Sequence, residues 1–294
     1  ADMFALAAAL LVAHASVGSD RASWAVVTGA SSGIGAAAAR QAAARGFNVL
    51  LAARRREQLR AVADEIRAAR PDVLVEIVPC DLGRPAGVAT LCAAAERRDV
   101  TLAVLNAGVC ESGLLCEQPA ARIDALLALN VCSTTALLRH FGSSMSASGH
   151  GGHLLLVASS AAAAPGVPGV AAYAASKAYM RSLAAGVRAE LRGTPRVSVT
   201  CALPSAVDGT EFRARSGLQR ATIFSLPRGV RRLGGAVMAA EEVAACALGA
   251  ALRGKAEVVP GLLPRLYVGL SDRRMLPVPV ARGLAAFCFA DAPF

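Results

Sequence analysis

Trp24-Ala25-Val26-Val27-Thr28-Gly29-Ala30-Ser31-Ser32-Gly33-Ile34-Gly35 reads as a strand running into a glycine-rich turn. The apolar run is short and closely bounded by glycine, as a buried strand is. Glycines at 29, 33 and 35 let the backbone turn tightly, and the alanine-rich stretch 36–45 reads as a helix. At such a helix N-terminus, free N–H groups and the helix dipole favour an anion, and the glycines let a pyrophosphate approach closely. A second apolar run, Phe47 to Ala52, completes a strand–helix–strand unit. That context gives the glycine spacing its meaning.

The end of the second strand reads Ala52-Ala53-Arg54-Arg55-Arg56. A site for NAD usually carries Asp or Glu here to hold the ribose 2′-hydroxyl. No carboxylate is present, and the guanidiniums of Arg54 and Arg55 suit a 2′-phosphate. Part of the run also serves as the solvated first turn of the next helix. The expected cofactor is NADP(H).

Outward from this unit the alternation continues. Helix 57–69, strand Val73–Val78, Cys80-Asp81-Leu82, helix 86–98, strand 101–105 and Asn106-Ala107-Gly108 follow in turn. A long helix 119–147, broken near Gly142, precedes strand 153–158, helix 172–192 and strand 196–202. An irregular stretch 204–235, helix 240–252 and strand Glu257–Val259 complete the pattern. Strands alternating with helices predict an α/β fold: a single Rossmann-type, doubly wound parallel sheet of about seven strands with helices on both faces. Ligands then bind at the carboxyl ends of the strands. We expect one domain over 23–261, an apolar extension over 1–22 and an apolar, basic tail over 262–294.

The chemistry concentrates between Ser159 and Lys177. Two hydroxyls, Ser159 and Ser160, follow the apolar run Leu154-Leu155-Leu156-Val157, and an alanine-rich helix then carries Tyr173 and Lys177. Four residues apart, these two share a helix face. An ammonium beside a tyrosine favours the phenolate and draws its pKa toward neutrality, which suits proton transfer. Only two of the 31 basic side chains are lysines, Lys177 and Lys255, in a chain that otherwise uses arginine. A compact ammonium is not replaceable by a planar guanidinium. Taken alone, such a pair reads more readily as an ordinary surface pair on an amphipathic helix, and the rest of the chain reverses that.

The net charge of +10 suits phosphorylated or carboxylated ligands, or an anionic membrane surface. With aromatics at 4% and no basic run interleaved with them, nucleic acid is not an expected partner. The eight cysteines form no C-x-x-C pair and no metal-ligand spacing with the histidines, so no metal is expected and free thiols point to a reducing compartment. Residues 3–17 are apolar, shorter than a spanning helix needs, and read either as the remnant of a signal or anchor or as a non-specific extension. Localisation is cytoplasmic, or membrane-associated and endoplasmic-reticulum-like if that segment is an anchor.

Thr28-Gly29-Ala30-Ser31-Ser32-Gly33-Ile34-Gly35, Asn106-Ala107-Gly108, Asn130, Ser160 and Tyr173-x-x-x-Lys177 together resemble the short-chain dehydrogenases/reductases, over about Trp24 to Val259. The resemblance implies an oxidoreductase that interconverts a carbonyl and a secondary alcohol. Tyr173 would be the acid/base, and Lys177 its tuner and the donor to the nicotinamide ribose. Ser160, the usual 13 residues before the tyrosine, would bond the substrate oxygen, and Asn130 would hold a water linking Lys177 to solvent. Asp81 would bind adenine and Thr210 would lie near the nicotinamide carboxamide. The cofactor would also touch Gly29, Ser31, Ser32, Gly33, Ile34, Gly35, Arg54, Arg55, Leu82, Asn106, Ala107, Gly108 and Pro204. A homodimer or homotetramer is a further implication. The chain departs from the family pattern at Leu105, which replaces an Asn, and at Pro204-Ser205, which replaces Pro-Gly.

A non-catalytic nucleotide-binding regulator or scaffold is the alternative, and the intact Asn130/Ser160/Tyr173/Lys177 set argues against it. The stretch 205–238 would cover the substrate. It carries Arg213, Arg215, Arg220, Arg228, Arg231 and Arg232 against Glu211 between 211 and 232, with Phe212, Leu218, Ile223, Phe224 and Leu226. Such a cover suits an apolar substrate with an acidic handle: a 3-oxoacyl thioester, or a steroid- or sphingoid-like ketone. The tail 262–294, with Arg265, Arg273, Arg274 and Arg282, suits peripheral contact with a bilayer, or packs on its own domain or a partner subunit.

Overall fold

The computed structural model describes residues 23–193, 196–212, 216 and 221–289. The extension 1–22, with its signal or anchor reading, lies outside the described residues, as do Arg213, Arg215, Leu218 and Arg220.

β1 (Trp24–Thr28) leads into α1 (Gly33–Ala44), β2 (Asn48–Ala53), α2 (Arg56–Ala69), β3 (Val75–Pro79), α3 (Pro85–Glu96) and β4 (Val100–Leu105). Then come α4 (Ala120–Leu127), α5 (Thr134–Ala147), β5 (Gly152–Val157), α6 (Ala171–Glu190) and β6 (Val197–Ala202). The short β7 (Ala206–Asp208) and β8 (Val237–Ala239) pair with each other, parallel and apart from the main sheet. α7 (Ala240–Leu252), β9 (Glu257–Val258), α8 (Leu262–Asp272) and α9 (Val278–Phe289) complete the chain.

The main sheet is parallel throughout, in the order β3-β2-β1-β4-β5-β6-β9. The order reverses between β1 and β4, and a crevice opens at such a switch point. Every residue of β1 and β2 is buried, which is why they read as unbroken apolar runs. Alanine sets how closely the helices approach one another. α1 buries six alanines and packs beside α7, whose buried face includes Ala244, Ala247 and Ala251. Small side chains release little free energy each, at roughly 25 cal/mol per Å² of apolar area. Leu50, Leu51, Leu59, Leu91 and Phe141, all fully buried, contribute more per residue.

The long helix breaks, but not at Gly142. That glycine lies inside α5, where an added Cβ would sit 3.8 Å from Leu154 in ordinary contact. The interruption is a wide π turn over Ala128–Ser133. It carries Asn130, whose Nδ2 donates to the Val109 carbonyl (2.9 Å) and to Ser176 Oγ (3.0 Å), while Oδ1 accepts from the Val109 N–H (2.9 Å).

Residues 262–289, expected as a tail, form two helices with one side buried. Val268 of α8 joins the main core, and Ala285 of α9 joins the cluster around Tyr173. Arg181 of α6 fastens α8 to the sheet edge, with Nε 2.6 Å from Glu257 Oε2 and Nη2 2.6 Å from Asp272 Oδ2. Its outer faces leave Leu262, Leu263 and Leu266 of α8 exposed, and Val278, Val280, Leu284 and Phe287 of α9.

Candidate active site

A cavity of about 620 Å³ opens at the carboxyl ends of β1, β2, β4, β5 and β6. Of the residues expected to bind cofactor or substrate, all but Gly35, Asn130 and Ser160 line it. Gly35 acts from behind: a Cβ there would lie 2.3 Å from the Gly29 carbonyl oxygen, so only glycine lets the turn close. Thr210 packs against the same turn, its methyl 3.2 Å from where a Gly33 Cβ would be. The altered Pro204-Ser205 approach therefore still delivers Thr210 to the site.

Thr28 joins two strand ends. Its Oγ1 donates to the Val104 carbonyl (3.2 Å) and accepts from the N–H groups of Asn106 (2.9 Å) and Ala107 (3.0 Å). Asn106 returns a bond from Nδ2 to the Thr28 carbonyl at 3.0 Å. These bonds set the floor of the cavity without any contribution from the Asn that Leu105 replaces. The only sequence signal for this role is a hydroxyl directly before the first glycine.

Arg54 and Arg55 both line the cavity, and Arg56 begins α2. Arg54 is exposed, whereas Arg55 is held: Nη2 donates to Ser31 Oγ (2.9 Å) and Ser32 Oγ (3.1 Å). Nη1 pairs with Glu211 Oε2 at 2.6 Å. Asp81 accepts from the Gly83 N–H at 3.1 Å, beside the buried Leu82. An open glycine turn at a helix N-terminus fits the pyrophosphate of a dinucleotide.

The two adjacent serines are placed differently. Ser159 lines the cavity beside Tyr173, its Oγ accepting from the Ala161 N–H at 3.2 Å, whereas Ser160 does not line it. Ser160 is buried, with its backbone N–H on the Pro204 carbonyl at 2.8 Å. The 13-residue step runs through a Pro/Gly loop that can absorb an extra residue. The end of β5, not the distance to Tyr173, decides which hydroxyl faces the cavity.

The expectation for Tyr173 is also corrected. Burial holds its phenol well above the ordinary value, the neighbouring Cys110 adds to this, and Ser159 pulls back only in part. Lys177 does not overcome burial. Its Nζ lies 5.7 Å from the tyrosine ring centroid and donates to the Val157 carbonyl at 3.0 Å. Burial brings Lys177 down to about 8, with Cys201 and Cys110 pushing the other way. Burial thus favours the protonated phenol of Tyr173 in the free protein.

Val109, Cys110, Leu129, Phe212, Phe224 and Cys288 give the cavity an apolar wall, the last contributed by α9. Phe212 tilts against Tyr173 with centroids 5.8 Å apart. Two arginines of this region are paired with carboxylates from outside it. Arg231 pairs with Asp208 and Arg232 with Glu242, each at 2.9 Å. Both carboxylates lie outside residues 211–232. Among the described residues no group of three His, Cys, Asp or Glu side chains is placed to hold a metal. The two histidines of Ser148–His153 do not meet: His150 approaches Asp99 and His153 bonds Ser198.

Residues 23–221 match the short chain dehydrogenase family. The chain belongs to it. A short-chain dehydrogenase from Sphingobium yanoikuyae, solved in complex with NADPH, superposes with a TM-score of 0.74 at 30% identity, covering 86% of this chain and 94% of that one. An uncharacterized oxidoreductase of Myxococcus xanthus is 39% identical over 185 residues, 62% of this chain and 71% of its own. A very-long-chain 3-oxoacyl-CoA reductase-like protein of Arabidopsis thaliana is 26% identical over 204 residues, 69% of this chain and 65% of its own. The protein is a short-chain dehydrogenase with a seven-stranded parallel sheet, and hence an oxidoreductase.

Proposed function

We propose that this short-chain dehydrogenase is an NADP(H)-dependent carbonyl reductase, or the reverse alcohol dehydrogenase, acting on a ketone in a largely apolar body such as a long-chain 3-oxoacyl thioester. The convergence of Ser159, Tyr173 and Lys177 in one cavity with Arg55 at its far end carries this reading. A bound dihydronicotinamide supplies the hydride that adds to the carbonyl carbon. Ser159 donates a hydrogen bond to the carbonyl oxygen and so favours the charge that develops there. Tyr173 gives its proton to that oxygen, and the ammonium of Lys177 stabilises the phenolate left behind. Asn130 fixes the loop after β4 against α6, and in this reading it would hold the water that links Lys177 to solvent.

For the cofactor, the support is the Ser31–Ser32–Arg55 cluster and the absence of a carboxylate at the end of β2. For the substrate, it is the apolar wall, together with likeness to a relative named for long-chain 3-oxoacyl reduction. The exposed leucines and valines of α8 and α9, flanked by Arg265, Arg273, Arg274 and Arg282, support peripheral contact with an anionic bilayer. The test is NADPH consumption with a long-chain 3-oxoacyl thioester against a small polar ketone. The reading predicts at least about tenfold higher kcat/KM for the thioester, or 1.4 kcal/mol of differential binding. Preference for the small ketone would overturn the substrate assignment.

A further inference from the structure

Arg55 is engaged on two sides. One guanidinium nitrogen bonds Ser31 and Ser32 of the glycine turn, and the other pairs with Glu211 at 2.6 Å. Glu211 comes from the segment after β7, more than 150 positions along the chain. Its neighbours there are Thr210, which packs on the glycine turn, and Phe212, which lies against Tyr173. The guanidinium side chain is 22% exposed, and the Glu211 side chain 47%. Glu211 lines the same cavity as Arg55, with its carboxylate on the guanidinium. A phosphate reaching Arg55 from the cavity meets an anion already in place, and a carboxylate and a phosphate seek the same planar donor fork.

We propose that Glu211 is a cofactor-selecting residue: it occupies the 2′-phosphate seat on Arg55 and yields it only to a cofactor that carries that phosphate. This rests on the reading of Arg55 as the 2′-phosphate ligand. Two consequences follow. Breaking the Glu211 pair subtracts from the affinity that Arg55 gives NADPH, so the preference for NADPH over NADH is narrower than the arginine alone would set. Release of Glu211 also frees the backbone next to Phe212, so 2′-phosphate occupancy reaches the ring that packs on Tyr173. NADH, without the phosphate, leaves the pair intact.

The test is titration of NADPH and NADH against the full chain by fluorescence, for the wild type, Glu211→Gln, Arg55→Ala and the double variant. Glu211→Gln keeps the shape and removes the charge. It should tighten NADPH by about fivefold, the scale of a partly exposed ion pair, and leave NADH within twofold. With Arg55→Ala already in place, the same change should no longer act on NADPH. Equal tightening of both cofactors, no change in NADPH, or an undiminished effect in the Arg55→Ala background would each overturn the inference. The underlying reading fails separately: Arg55→Ala would then weaken NADPH and NADH alike. Arg55→Ala weakening NADPH alone, with Glu211→Gln silent, would leave the reading standing and remove only the role of Glu211.

Discussion

At Tyr173, burial and the Ser159 hydroxyl act against each other, and burial wins. Its partner Lys177 carries the consequence for pH. Burial brings Lys177 from the ordinary 10.5 to about 8, so between these values the unfolded chain holds a proton that the folded chain has released. Stability then rises with pH across that window, by up to about 1.4 kcal/mol per unit. Below about 8 the cost of burying the charge is fully present. The buried thiols work the other way, with Cys80 raised to about 11 and Cys201 to about 12, as does Tyr173. We therefore expect the signature in a difference: the melting temperature of Lys177→Met minus that of the wild type should shrink from pH 8 to pH 10. A constant difference would contradict the assignment. At the neighbouring site, Ser159→Ala should lower kcat about a hundredfold, the loss typical of a missing oxyanion donor, while Ser160→Ala leaves it nearly unchanged. Equal losses would contradict the placement of the two hydroxyls. The family resemblance implies a serine at the end of this strand beside Tyr173. It does not show which one, because a loop of free length separates them.

At the scale of elements, the glycine turn was legible because its requirements are local. Strand, turn and helix follow one another within a dozen residues, and a Cβ at Gly35 has nowhere to go. Gly35→Ala should cost about 1–3 kcal/mol through overpacking and weaken NADPH binding by more than it weakens folding. Unchanged NADPH affinity, measured by titration, would show that the turn is not the pyrophosphate seat. The break between α4 and α5 was misplaced for the opposite reason. Gly142 is the local signal for a break, but Asn130 forms its contacts with Val109 and Ser176, 21 and 46 positions away. Arg181 was equally invisible as the joint between α6, β9 and α8. Replacing it with Met leaves Glu257 and Asp272 facing each other, and we expect a loss of about 2 kcal/mol, read as a lower urea midpoint. An unchanged midpoint would mean that α8 is held by apolar packing alone.

Over the whole molecule, the alternation of strands and helices fixed the sheet before any tertiary contact was known, because parallel strands need helical crossovers. The segment after residue 261 was harder to place. Its apolar residues divide between an inner side, with Val268 and Ala285, and an outer side of leucines and valines, and composition does not separate the two. The outer side leads to a test at this scale. The protein should float with vesicles containing anionic lipid, less so at high salt, and Leu263→Glu with Leu266→Glu should abolish flotation without loss of turnover. Flotation that survives both substitutions would exclude this face. The most direct test of the central claim is the loss of NADPH absorbance in the presence of a long-chain 3-oxoacyl thioester, for the wild type and Tyr173→Phe. The account predicts steady consumption by the wild type, at least about a thousandfold less by a variant that still binds NADPH, and a 3-hydroxyacyl product. Equal rates for the two proteins would contradict it.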